Sequence, residues 1–110
     1  MGKKIIVIDF DPRGENVWLM NCNHEMSKMS GSFGVNRIFY NLEDARAQMV
    51  KEVQRVSRNM LEMWQRKYPM KNIRYSFYLD DEGYDCSAEI IMDGKAVDCY
   101  VGGIHHLTIE

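Results

Sequence analysis

The residues able to carry chemistry are three cysteines, three histidines and an uneven run of carboxylates. Cys22, Cys86 and Cys99 are odd in number and form no C-x-x-C pair, so neither a structural zinc site nor a dithiol redox centre is expected. In a reducing compartment such thiols behave as small buried hydrophobes, which places the chain in the cytoplasm by expectation. His105 and His106, together with Cys99, are metal-ligand types, but adjacent histidines lack structural-zinc spacing. Asp9, Asp11 and Gly14 match the start of a calcium loop, yet Arg13 and Met20 fall where that loop needs oxygen ligands. No metal or other cofactor is expected.

The carboxylates are more informative. The net charge of −2 conceals a gradient: residues 42–72 hold seven basic and four acidic groups, whereas residues 73–110 hold two and eight. Asp80, Asp81, Glu82 and Asp85 crowd one loop with Tyr84, and Glu89 and Asp98 follow on expected strands. Carboxylates spaced along a sheet can mimic phosphates toward an Arg/Lys-lined channel. Tyr78 and Tyr100 would add aromatic contact area to such a surface. The partner implied is a protein with a basic, nucleic-acid-binding surface, and direct nucleic-acid binding by the chain itself is not expected.

Two short strings resemble catalytic motifs. Ile5-Ile6-Val7-Ile8-Asp9-Phe10-Asp11 resembles the first motif of haloacid-dehalogenase-type phosphatases, in which the first Asp is the nucleophile and the second the acid/base. That family also needs a parallel sheet with several crossover helices, which a chain with one long helical pattern cannot build. His106-Leu107-Thr108 resembles the H-x-T motif of two-histidine phosphoesterases, which use two facing copies; His24 is followed by Glu25-Met26-Ser27 and supplies no second copy. A non-catalytic protein is the expectation.

The elements that must position these residues form one domain over residues 1–110. The 45% hydrophobic and 27% charged content is that of a folded globular chain. The longest apolar run, residues 5–8, is far short of the ~20 residues of a membrane span and precedes no small-residue cleavage site. Strands are expected at 4–10, 17–22 and 33–40, with a turn at 11–14 and an exposed loop at 23–32 whose Met26 and Met29 are contact candidates. A single helix follows from 42 to about 68. Asn41 is its N-cap, Glu43 and Asp44 suit the positive end of its dipole, Arg66 and Lys67 suit the negative end, and Pro69 stops it. Apolar residues at 42, 45, 49, 53, 56, 60, 63 and 64 make one stripe. A helix of this length spans ~40 Å, whereas a 100-residue domain has a radius of gyration of ~13 Å. An overhanging helix and a homodimer built on it are therefore expected.

The remaining third is a three-stranded meander. Asp93-Gly94 marks a two-residue hairpin turn that sets Met92 opposite Lys95, Ile90 opposite Val97 and Ala88 opposite Cys99. The 80–85 loop sets Leu79 opposite Cys86, Phe77 opposite Ala88 and Tyr75 opposite Ile90. One apolar face results: Tyr75, Phe77, Leu79, Cys86, Ala88, Ile90, Val97, Cys99 and Val101. Glu89 and Asp98 then oppose each other on the outer face with Tyr78 and Tyr100. The fold class expected is α+β: an antiparallel sheet of about six strands, βββ-α-βββ, packed on one long amphipathic helix.

Phe39-Tyr40-Asn41-Leu42-Glu43-Asp44-Ala45-Arg46 resembles the strand-to-helix junction of HicB-type antitoxins and of small phage and mobile-element accessory proteins. The general character is similar to anti-CRISPR inhibitors, which implies an inhibitor occluding a nucleic-acid site on a host defence nuclease. The alternative is a small-molecule binder that sequesters a nucleotide signal at a dimer seam or between sheet and helix. Arg37, Arg55 and Arg58 would then be its anion contacts.

Overall fold

The computed structural model describes residues 16–25 and 34–108. The expected strand at 4–10, the turn at 11–14, Asp9, Asp11, and Met26 and Met29 lie outside them. Within them run β1 (Asn16–His24), β2 (Val35–Phe39), α1 (Leu42–Lys67), β3 (Ile73–Leu79), β4 (Asp85–Met92) and β5 (Lys95–Thr108). The five strands form one antiparallel sheet in the order β2-β1-β5-β4-β3, with α1 contacting all five. The class is α+β.

Local chemistry sets the ends of α1. The Asn41 side chain accepts the backbone N–H of Glu43 at 2.7 Å and of Asp44 at 3.1 Å, while Tyr68 N–H closes the last turn on Trp64. Ala45, Met49, Val53 and Met60 are buried against the sheet, where they meet Met20, Cys22, Cys86, Ala88, Ile90, Tyr100 and Ile104. The helix stays seated as far as Trp64, which packs on this core, and only residues 65–67 are wholly exposed beyond it. The helix therefore spans the sheet and does not overhang it, which removes the premise for a helix-built dimer.

β5 is longer than a simple meander needs, because its second half joins β1 to the rest. Gly102 allows this. A Cβ there would lie 2.8 Å from Met49 Cγ and 3.0 Å from Cys22 Sγ, so the position is glycine because α1 presses on the sheet at that point.

The β3–β4 register is the expected one, with Leu79 opposite Cys86, Phe77 opposite Ala88 and Tyr75 opposite Ile90. The β4–β5 register begins as expected, with Met92 opposite Lys95, and then slips at a bulge between Ile90 and Ile91. Val97 is the extra residue, and it stays packed on the core. Beyond it Ile90 faces Asp98, Glu89 faces Cys99 and Ala88 faces Tyr100. A one-residue slip exchanges the two faces of everything that follows. Asp98 and Tyr100, expected outside, are 1% and 2% exposed on the helix side. Cys99 and Val101, expected inside, turn to the outer face, and the Glu89–Asp98 opposition does not form.

Candidate functional site

The acidic residues divide into two sets with different surroundings. The first is the β3–β4 hairpin. Asp80 is its internal brace: its Oδ1 accepts the N–H of Tyr84 at 2.9 Å and of Asp85 at 3.3 Å, and its backbone N–H donates to Asp85 O at 3.0 Å. Gly83 holds φ +77, a left-handed value, and donates its N–H to Asp80 O. From the helix, Arg46 reaches under the turn and donates to Glu82 O at 2.9 Å, filling the space a side chain at Gly83 would need. Tyr84 packs half-buried on the core. A braced tip results, carrying exposed Asp81, Glu82 and Asp85, with Tyr78 58% exposed and Glu89 half-buried on the adjoining outer face.

The second set lies in the helix–sheet seam. Asp98 accepts the indole N–H of Trp64 at 3.0 Å and its neighbour's N–H from Cys99 at 2.9 Å. His24 Nδ1 stands 4.0 Å from the same carboxylate, and its ring meets Tyr100 edge-on at a centroid distance of 4.8 Å. Tyr100 in turn donates its hydroxyl to Glu52 at 3.4 Å, and Glu52 pairs with Arg55 at 2.8 Å. Burial, then the nearby Cys22 and Glu52, push the Tyr100 hydroxyl far up, so it serves as a proton-bearing donor. Each buried carboxylate thus has partners, and the seam reads as a structural network that lets polar groups survive inside.

Of the sequence-derived surface, Asp81, Glu82, Asp85, Glu89 and Tyr78 stay together at one end of the outer face; Asp80 and Tyr84 are turned to internal work, and Asp98 and Tyr100 are withdrawn to the seam. Glu52 and His24 emerge only from the structure. Glu52 falls one position from Val53 on the apolar stripe, and that placement is the signal that could have marked it as buried.

Burial also settles the thiols. It raises Cys22 to about 11, Cys86 to about 12 and Cys99 to about 11, the last helped by Glu89, Glu25 and Asp98, so all three are protonated and poor nucleophiles near neutrality. His106 stacks on Trp18 and bonds Asn16 at 3.0 Å. Among the described residues no group of three His, Cys, Asp or Glu is placed to hold a metal ion, and no helix is long and apolar enough to cross a membrane.

A shallow groove of about 480 Å³ runs between α1 and β3, lined by Glu43, Arg46, Ala47, Val50, Lys51, Gln54 and Leu79. The arginines expected to hold an anion do not meet there. Arg37 lies over the Phe39 ring on β2, at the far end of the strand order, and Arg55 is engaged by Glu52. Arg46 and Lys51 are the groove's cations.

No protein-family model, curated protein or solved structure matches the chain.

Proposed function

We propose that this chain is a non-catalytic binding protein that presents its acidic β3–β4 hairpin to the basic, nucleic-acid-binding surface of a protein partner. The observation that carries this is the brace formed by Asp80, Gly83 and Arg46, which holds Asp81, Glu82 and Asp85 outward on a fixed turn beside Glu89 and Tyr78. Preorganised like charges lose little freedom on docking and speed encounter with a basic groove. Occluding a host defence nuclease, in the manner of an anti-CRISPR inhibitor, is the biological role that fits such a surface.

The test is capture of partners from the native host by the full chain, with and without added duplex DNA. The native chain should retain a nucleic-acid-binding protein that DNA displaces. Asp81→Lys, Glu82→Lys, Asp85→Lys and Glu89→Lys together should lose it while the melting temperature stays close to native. Retention by the reversed chain at ordinary salt would sink the proposal. The α1–β3 groove supports a second reading, a small anionic ligand held by Arg46 and Lys51, and a nucleotide thermal-shift series separates the two.

A further inference from the structure

The edge of β3, which no strand among the described residues meets on its outer side, has a complement in the molecule itself. The β3–β4 ladder is bracketed by Asp80 N–H to Asp85 O at one end and Asp93 N–H to Asn72 O at the other. Hydrogen-bonded positions alternate along an antiparallel pair, so the even-numbered residues of β3 bond to β4. Ile73, Tyr75, Phe77 and Leu79 therefore direct their N–H and C=O groups away from the sheet, and no other strand among the described residues meets them. Natural edges are usually blunted by proline, lysine, a bulge or a short strand. Of such devices β3 has one charged side chain, Arg74, near its start. It is otherwise without proline, lysine or bulge, is seven residues long, pairs with β4 without a slip, and leaves Tyr75 38% and Leu79 39% exposed.

The geometry points to an antiparallel, two-fold pairing of β3 with β3 of a second copy of this chain, centred on Ser76. That register places Tyr75 against Phe77 and Ile73 against Leu79 on the helix side, and Arg74 against Tyr78 on the outer side. Every opposed pair is favourable: aromatic on aromatic, aliphatic on aliphatic, and a guanidinium beside a tyrosine ring. It is also the register that uses all four outward-facing residues.

Charge agrees with shape. The chain enters β3 through Lys71 and Arg74 and leaves it through Asp80, Asp81 and Glu82. Lys71 already holds Asp93 at 3.2 Å, but Arg74 and Asp81 are both exposed and form no ion pair among the described residues. A two-fold axis at Ser76 brings the basic end of each copy to the acidic end of the other, twice, and a self-complementary patch of this kind is what an isologous dimer requires. The pairing shares Asp81 and Tyr78 with the partner surface proposed above and leaves Asp85 and Glu89 on the outer face of β4. Sedimentation of the chain alone, with no partner present, reads the pairing separately from that surface.

Sedimentation velocity on the full chain over a dilution series tests this. The native chain should pass from the 12.9 kDa monomer to a species of twice that mass. Arg74→Glu and Asp81→Lys, each alone, should shift the equilibrium to monomer with unchanged far-UV circular dichroism. Mixing these two variants should recover the dimer. Arg74 and Asp81 are not directly opposed but lie roughly 10 Å apart along the seam, about a Debye length, so each reversed charge then attracts its opposite across the axis. A native monomer at every concentration, reversals without effect, or a mixture that stays monomeric would each overturn the inference.

Discussion

Asp98 shows how far one residue's role depends on its face. Its carboxylate accepts the Trp64 indole and the Cys99 amide inside the seam, so Asp98→Ala strands two buried donors. Leaving them unpaired should destabilise the fold by about 1–3 kcal/mol, whereas Asp81→Ala and Glu82→Ala on the exposed tip should stay within about 0.5 kcal/mol. Urea midpoints at neutral pH decide it, and equal effects at the three positions would contradict the division of the acids into two sets. The thiols supply a pH signature. Cys22, Cys86 and Cys99 are raised from 9.0 to about 11, about 12 and about 11, so the folded state resists forming thiolates that the unfolded chain forms readily. The stability they protect is fully present below pH 9.0 and is lost as the pH climbs toward 11–12. Urea midpoints measured across that window should fall, and Cys86→Ala should shallow the decline relative to its own neutral value.

At the scale of elements, what was legible in the sequence was whatever local chemistry dictates. Asn41, Pro69 and a stripe with helical spacing delimit α1 to within a residue, the 80–85 loop sets the β3–β4 partners throughout, and Asp93-Gly94 sets the β4–β5 partners only as far as the bulge. The bulge at Val97 was not legible, because nothing in Ala96-Val97-Asp98 signals it. It arises where keeping Val97 on the core and bringing Asp98 to Trp64 together outweigh one regular ladder step, and that balance involves a helix residue 34 positions away. For the same reason the candidate surface was legible in its hairpin half and misplaced in its β5 half. The face expected from the sequence ends at Val101, yet the chain continues through Gly102 and Gly103 to pair with β1. Gly102→Ala tests the reason given for it. The added methyl meets Met49 Cγ at 2.8 Å, and overpacking at such a site costs about 1–3 kcal/mol. Met49→Ala in the same chain should recover part of that loss, a non-additivity that a double-mutant cycle on thermal melts would read directly.

The whole molecule carries acid at one end of its outer sheet face and base along the exposed side of α1, where Lys51, Arg55, Arg58, Arg66 and Lys67 reach solvent. Charges of one sign on separate faces steer partners without altering the fold. The edge of β3 links that pattern to assembly, and it makes a residue-resolved prediction about amide exchange. In dilute solution Arg74, Ser76 and Tyr78 should be protected, since their N–H groups bond to β4, while Tyr75, Phe77 and Leu79 exchange freely. Raising the concentration should protect Tyr75, Phe77 and Leu79 and leave the even-numbered amides unchanged, because only the outward set gains partners. Added salt should weaken that protection, since the Arg74–Asp81 attraction acts across a solvent-exposed seam where screening is effective. Hydrogen exchange followed by NMR at two concentrations distinguishes this from a dimer through α1, which would leave the alternation along β3 untouched.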